Sequence, residues 1–139
     1  MTTFLRTENI LGCTHRYHSL GEGGAPAAID ITVPPGAGAP PHTHEHEDET
    51  FYGLEGEVTL LMEGLDAPVV LRAGDYVFAP RGKWHAFQNQ GASTARMLVT
   101  VLPGANLVAM FSELAQVAMP PDPAVVGAIT ARYGVVLRG

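Results

Sequence analysis

The sequence has only one cysteine, Cys13, so no disulfide can form within the chain. Charged residues make up only 16% of it, below the usual share of about one quarter. Basic residues are few and scattered, and the formal net charge is -6. No apolar run approaches the roughly 18 residues of a membrane span, and the N-terminal MTTFLRTENI does not resemble a signal peptide. We therefore expect a cytoplasmic protein that binds neither nucleic acid nor membranes.

Short apolar segments separated by turns occupy the first hundred residues. Residues 28–33 (AIDITV) alternate apolar and polar side chains, as a half-buried strand does. The proline- and glycine-rich residues 34–41 are predicted to form a loop. Other predicted strand segments lie at 17–20, 50–62, 69–72, 76–80, 84–89 and 95–102. This near-regular spacing predicts an all-β sandwich or barrel over about residues 9–103.

The hydrophobic period changes in the last part of the chain. A first helix, with Asn106 as its N-cap, is predicted from an apolar stripe at helical spacing: Leu107, Met110, Phe111, Leu114, Val117 and Ala118. A second predicted helix has Asp122 as its N-cap and Gly134 at its C-terminal end. We therefore predict one domain over residues 1–139, in which two short helices in the segment 104–139 follow the barrel.

Three of the six histidines and four carboxylates lie within residues 42–49. His42 and His44, two residues apart on a strand, would point to the same face. Glu49 lies an odd number of residues from His44, so it joins them only if the chain bends or bulges. His85 begins a later segment, and an adjacent antiparallel strand could bring it opposite these histidines. The alternative is a solvated polar loop and one unrelated histidine.

The other polar residues near this segment show no pattern of metal ligands. His46 could be a hydrogen-bonding partner of a ligand, although a solvated position is the simpler interpretation. His15 and His18 are interpreted as surface histidines or as satisfied core histidines. Cys13 lies in no nucleophile context. Four residues are interpreted as a solvated loop at the entrance of the site: Glu45, His46, Glu47 and Asp48.

Two motifs that contain these residues resemble the motifs of the cupin family. The first, G-x5-H-x-H-x4-E-x6-G, is met by Gly36, His42, His44, Glu49 and Gly56. The second, G-x5-P-x-G-x2-H-x3-N, is met by Gly74, Pro80, Gly82, His85 and Asn89. The resemblance implies a double-stranded β-helix, or jelly roll, with a metal ion inside the barrel. The ligands that it implies are His42, His44, Glu49 and His85.

A longer stretch that includes HEDETFYGLEGEVTL is similar to small single-domain cupins related to quercetin 2,3-dioxygenase. This resemblance implies a dioxygenase that binds a small aromatic or enolisable substrate at one divalent transition metal ion: Fe, Mn, Ni, Co, Cu or Zn. Glu49 would be both a ligand and the catalytic base, which requires a raised pKa in an apolar barrel. A metal-assisted isomerase, decarboxylase or lyase, and a binding protein without turnover, remain open.

Apolar side chains are expected to surround the metal. Gly53 stands where similar cupins often have valine. It lies an even number of residues from Glu49, so the two would face the same side of a strand. We therefore hypothesise a roomier pocket there. The candidate pocket residues are Phe51, Gly53, Phe78, Trp84, Phe87 and Met97. The apolar stripe of the first helix is expected to pack on the barrel or, alternatively, to cover its mouth. We also expect a homodimer, because small cupins commonly pair through barrel edges and apolar sheet faces.

Overall fold

The structure, a computed structural model, describes residues 4–138; residues 1–3 and 139, which the predicted domain includes, lie outside the described residues. The strands and helices are β1 Arg6–Ile10, β2 Cys13–Leu20, β3 Ala27–Val33, β4 Gly38–His44, β5 Asp48–Glu55, β6 Val58–Met62, β7 Val69–Leu71, β8 Tyr76–Ala79, β9 His85–Gln88, β10 Ala95–Leu102, α1 Ala105–Leu114, α2 Pro123–Arg132 and β11 Val135–Leu137. The first strand thus begins before residue 9, the predicted start of the barrel.

The strands form two antiparallel sheets. One sheet has six strands in the order β1-β2-β3-β10-β5-β8, and the other has five in the order β11-β4-β9-β6-β7. Consecutive strands β4 and β5 lie in different sheets, so the polar segment between them crosses from one sheet to the other. The predicted all-β jelly roll with two short C-terminal helices is confirmed.

Strict alternation of side chains builds the core. In β10, every second residue is buried, and Met97 and Val99 lie opposite Ile31 and Ile29 of β3. This is the period-2 pattern that the sequence predicts, because successive side chains of a strand point to opposite faces. The inner faces of both sheets contribute to one apolar cluster, in which Leu60 of β6 is also buried. The core therefore fixes which residues of each strand face the barrel interior.

Two strands depart from the prediction. Strand β4 begins at Gly38, inside the predicted loop 34–41. The segment 104–139, predicted to be helical, ends in the strand Val135–Leu137, which pairs with β4. Gly134 has a φ of 78° there, so the chain turns sharply at the end of α2 and returns to the sheet. Its three residues, VVL, are β-prone but too few to distinguish a strand from the end of a helical segment in the sequence.

The helices lie against the barrel. The prediction for α2 is confirmed, because the Asp122 side chain accepts a hydrogen bond from Ala124 N at 2.9 Å and caps the helix. The prediction of Asn106 as a cap is wrong: α1 is preceded by Gly104, without a side-chain cap. Helix α1 ends at Leu114, before the last two residues of the predicted stripe. Neither helix among residues 4–138 is long and apolar enough to cross a membrane.

Candidate metal centre

Three strands bring the four predicted ligands together. His42 and His44 are buried at alternate positions of β4, and His85, the first residue of β9, pairs directly with His42. Glu49 is the second residue of β5, in the other sheet. The predicted bend is therefore a crossover between sheets. The alternation of side chains does not continue across it, since His44 and Glu49 belong to different strands.

The four side chains converge on one point. Their candidate ligating atoms all lie within 4.8 Å of one another. The Nε2 atoms of His44 and His85 lie 2.7 and 3.1 Å from Glu49 Oε1. His42 Nε2 lies 3.1 Å from His44 Nε2. All four residues are less than one tenth exposed.

The buried polar atoms of this cluster lack ordinary partners. His85 Nδ1 and Nε2, His44 Nδ1 and Glu49 Oε1 are buried without a hydrogen bond of acceptable geometry among the described residues. Such atoms destabilise a folded protein unless something satisfies them. Three imidazoles and one carboxylate suit a divalent ion from manganese to zinc. The cluster could therefore hold one metal ion, and the identity of the metal does not follow from these ligands.

Burial and mutual charge shift the pKa values in the cluster. Burial, together with His85 and His44, lowers the pKa of His42 to about 4. Burial also disfavours a charged His44, but the Glu49 and Glu47 carboxylates outweigh it and raise the pKa of His44 to about 10. Burial raises the pKa of Glu49, yet His44 and His85 outweigh it and leave that pKa well below its usual value. The direction of the Glu49 pKa shift is thus opposite to the raised pKa expected from an apolar barrel.

Glu47, predicted to lie in a solvated loop, is buried behind His44. Its side chain is 1% exposed, and its Oε1 lies 3.6 Å from His44 Nδ1. Asn106 Nδ2 donates to Glu47 Oε2 at 2.8 Å and also lies 2.8 Å from the carbonyl oxygen of Tyr133. This network joins a candidate ligand to α1 and to the end of α2. Nothing in the composition of the segment separates Glu47 from Glu45; only the path of the turn does.

The neighbours of Glu47 point outward, as predicted. Glu45 and His46 are exposed. Asp48 accepts hydrogen bonds from the Arg81 backbone at 2.9 Å and from its guanidinium at 3.2 Å. Arg81 lies within the second motif, so this exposed pair connects the two motif loops. His46 is not in hydrogen-bond contact with any of the four predicted ligands among the described residues.

Backbone contacts fix the orientation of the histidines. His42 Nδ1 lies 2.7 Å from the carbonyl oxygen of Pro40, which leaves Nε2 for the cluster. Gly82 N donates to the carbonyl oxygen of His44 at 2.9 Å. Gly82 has a φ of 82°, a conformation that glycine adopts without strain. Gly82 therefore connects the loop before His85 to the strand that contains His44.

A cavity of about 120 Å³ lies beside the cluster and is lined by all four candidate ligands. The rest of its wall is mostly apolar. Phe51 and Phe87 line it, as predicted, and the two helices and β11 contribute side chains that include Met110, Phe111 and Val126. The apolar stripe of α1 therefore packs into the core, as expected, and also contributes to the wall of the cavity.

The other four predicted pocket residues do not line this cavity. Met97 is fully buried in the core, and Phe78 is 51% exposed. Trp84 lies under the Arg138 guanidinium, 4.6 Å from the ring centroid. A Cβ on Gly53 would overlap the carbonyl oxygen of Arg72, so this glycine allows a close backbone approach and does not enlarge a pocket. Alternation identifies inward positions, but it does not tell the centre of the core from the cavity.

Two titratable residues of the cavity wall are absent from the predicted set. His15 and Cys13 both lie in β2, are buried, and face the cavity. Burial raises the pKa of the Cys13 thiol to about 11, so it is neutral at physiological pH and is no nucleophile. His15 is neither on the surface nor satisfied, because its Nδ1 has no partner in the described chain. Only the closure of the barrel brings these positions to the site.

Comparisons with known proteins agree with this fold. The Cupin_2 cupin-domain family matches residues 29–101. The chain is 34% identical over 72 residues to an oxalate-binding protein of Thermotoga maritima (52% of this chain, 58% of that protein). It is 33% identical over 63 residues to quercetin 2,3-dioxygenase of Bacillus subtilis (45% and 18%). The crystal structure of DMSP lyase DddQ from Ruegeria pomeroyi DSS-3 has 34% identity and a TM-score of 0.51 (58% and 39%).

The matched region spans less than two thirds of the length of each of these three proteins. The family match, in contrast, extends over just over half of this chain and includes both motifs. The predicted resemblance is confirmed, and a quercetin 2,3-dioxygenase is among the similar proteins. The chain belongs to the cupin family.

Proposed function

We propose that this cupin is a metal-dependent enzyme, a dioxygenase of the quercetinase type that acts on a small enolisable substrate. The observation that supports it is the buried cluster of three histidines and one glutamate on the wall of an apolar cavity. A bound transition metal would supply a Lewis acid and access to oxygen chemistry. The similarity to quercetin 2,3-dioxygenase over part of the chain favours this reaction class.

The size of the cavity favours a small substrate. Its volume, about 120 Å³, is below the roughly 300–1,000 Å³ of typical ligand pockets. A compound with a single ring or a short chain suits this space. A flavonol, with three rings, would require α1 and α2 to move away from the barrel. The proposed substrate is therefore small, aromatic or enolic, and able to present an oxygen donor to the cluster.

Glu49 is the proposed catalytic base. Its carboxylate is buried on the cavity wall, beside the three candidate histidine ligands. Its Oε1 faces the cluster, so it can accept the proton of a substrate hydroxyl placed there. Phe51, Phe87 and Phe111 line the cavity and keep water away from the resulting anion.

A non-redox reaction is the second candidate. The 34% identity to a DMSP lyase favours it, because that solved structure is a cupin-fold neighbour whose name denotes a lyase. In this alternative, the same cluster would polarise a substrate oxygen, and Glu49 would remove a proton from carbon. An isomerase could use the same two groups, whereas a decarboxylase would use the metal as the Lewis acid that stabilises the anion left by loss of CO2. A third possibility, binding without turnover, is favoured by the similarity to an oxalate-binding protein.

Oxygen consumption separates the three candidates. The metal-reconstituted full chain would be incubated with small enols and diketones, beginning with pentane-2,4-dione, in air and under nitrogen. A dioxygenase consumes oxygen and forms product only in air. A lyase or isomerase forms product under nitrogen, and a binding protein shows saturable binding without product. His85→Ala should abolish any turnover, whereas the exposed His46→Ala serves as the matched control. Turnover under nitrogen would contradict the dioxygenase proposal.

We also propose that the chain forms a homodimer. Its other proposed partner is the small-molecule substrate. Three large side chains on the outer face of β5 and β8 are exposed: Tyr52, Tyr76 and Phe78. Exposed aromatic groups of this kind mark interaction surfaces in soluble proteins. Light scattering at two protein concentrations tests the proposal. A monomer at both concentrations would contradict it.

A further inference from the structure

We propose that His15 forms a second polar subsite of the cavity and binds the hydroxyl or carbonyl group at the substrate end remote from the metal cluster. The inference rests on the proposed function, because it assumes that the other end of the substrate lies at the cluster. It makes the substrate bifunctional, with one oxygen donor at the cluster and a second polar group at His15.

The position of His15 supports this role. It lies in β2, between Glu8 of β1 and Ile31 of β3, and is 5% exposed. It lines the same cavity as the four candidate ligands. Three of those ligands come from the five-stranded sheet, whereas His15, like Glu49, comes from the six-stranded sheet. The cavity thus has polar groups contributed by both sheets.

The hydrogen-bonding state of His15 indicates a missing partner. Its Nδ1 is buried without a hydrogen bond in residues 4–138. Its ring packs edge-on against Phe111 of α1, with centroids 4.7 Å apart. Buried polar groups of native proteins are nearly always paired, and an unpaired one requires an explanation such as a functional role. Because this nitrogen belongs to a residue of the cavity wall, a ligand in the cavity supplies that explanation.

The charge state of His15 selects the chemical class of the ligand. Burial lowers the pKa of His15 to about 4, although the Glu49 carboxylate opposes this shift. A neutral imidazole has one N–H donor and one acceptor nitrogen. It therefore matches a hydroxyl, which both donates and accepts, or a carbonyl. A subsite for a carboxylate would place a permanent cation such as arginine here.

Hydroxamates test the subsite without an enzymatic assay, because they chelate transition metals at one end. The probes are two isosteric pairs on the Co(II)-loaded full chain: glycolohydroxamate against propionohydroxamate, and 3-hydroxypropionohydroxamate against butyrohydroxamate. The members of a pair differ only in a hydroxyl or a methyl group. Calorimetry gives the four affinities, and the cobalt absorption spectrum shows whether the metal site is intact.

We expect one hydroxyl probe to bind about tenfold more tightly than its methyl isostere, as one buried hydrogen bond would give. His15→Phe should remove this preference and leave the methyl probes unaffected. His15→Gln, which keeps a donor and an acceptor, should retain part of it. His18→Gln, an exposed histidine of the same strand, is the matched control and should retain all of it. Thermal unfolding confirms that each variant folds.

Equal affinity within both pairs, or a preference that survives in His15→Phe, would overturn the subsite. A general loss of affinity for hydroxyl and methyl probes alike in His15→Phe would also overturn it, since that is the effect of a structural role. Absence of turnover with the hydroxyl preference intact would contradict only the proposed function. Failure of every hydroxamate to bind would contradict both.

Discussion

Two sets of polar side chains in the segment 42–49 have nearly the same composition and opposite environments. The inward set is His42, His44, Glu47 and Glu49, and all four are buried. The outward set is Glu45, His46 and Asp48, which are exposed or half-buried. Each set contains histidine and carboxylates. Residue type therefore does not decide which of these groups can bind a metal; the direction of the side chain does.

The turn between β4 and β5 explains the difference. Alternation along β4 turns His42 and His44 toward the cavity. The chain then leaves one sheet for the other, so alternation stops at the turn. Glu47 is held inward by the hydrogen bond from Asn106, and Asp48 is held outward by Arg81. Glu49 is buried again because β5 places it on the inner face.

The largest expected effect is the difference in turnover and metal content between Glu49→Gln and Glu45→Gln. The amide at position 49 keeps the shape of the side chain but removes the charge that the metal and the proton transfer require. We expect a loss of turnover of about a hundredfold or more, together with weaker metal binding. Glu45 is exposed, so its variant should match the native protein. Oxygen uptake and metal content measure both effects, and equal activities of the two variants would exclude Glu49 as the base.

Glu47→Gln sharpens the comparison within the inward set. Glu47 does not reach the centre of the cluster, but it lies behind His44 Nδ1 at 3.6 Å. Carboxylates that orient a metal-binding histidine contribute about 10- to 100-fold in metal affinity. We expect a decrease of that size in Glu47→Gln, measured by competition with a chelator. Asp48→Asn is the control, and a similar decrease there would indicate a general effect of charge.

Asn106→Ala tests the support of Glu47 by the helices. The variant removes the donor to Glu47 Oε2 and the contact with the Tyr133 carbonyl oxygen. It leaves a buried carboxylate oxygen unpaired, so the free energy of unfolding should fall by about 1–3 kcal/mol. Urea unfolding measures the change. Asn9→Ala, at an exposed asparagine, should be nearly neutral, and equal losses in the two variants would argue against the network.

Asp48→Asn should have the smallest effect on stability, because its ion pair with Arg81 is solvent-exposed. Arg81 holds the pKa of Asp48 below its usual value. The pair therefore stabilises the fold above the ordinary carboxyl pKa, and this contribution is lost as the pH falls through the lowered pKa. We expect a slightly lower Tm for the variant at neutral pH and no difference in strong acid. A difference that grows as the pH falls would contradict this assignment.

Much of the fold could be predicted from the sequence. Alternation in segments such as residues 95–102 predicts the strands, and the two spaced motifs identify the four side chains that converge in the cluster. Strand β11 was not predicted, because Val135–Leu137 is a short segment whose partner, β4, lies about ninety residues earlier in the sequence. The prediction of Asn106 as a helix cap is wrong for a similar reason. Its side chain donates a hydrogen bond to the distant Glu47 and does not cap its own helix.

The details of the site depend on how deep each side chain lies in the barrel and on which distant residues lie close to it. Local sequence patterns contain neither kind of information. Met97 and Val99 share a face of β10, yet only Val99 reaches the cavity. His15 reaches it from a strand far from both motifs in the sequence. The pKa of Glu49 depends on a nitrogen 2.7 Å away, whereas the expectation from an apolar barrel alone has the opposite sign. These features appear only once the sheets close around the cluster.

The most direct measurement is the metal content of the native chain, His44→Ala and His46→Ala after reconstitution and gel filtration, by elemental mass spectrometry. The two variants lose the same side chain two residues apart, one from the inward set and one from the outward set. We predict about one equivalent of a transition metal in the native protein and in His46→Ala, and a loss of that metal in His44→Ala. Equal metal content in the two variants, or no metal in the native chain, would contradict the assignment of this cluster as a metal centre.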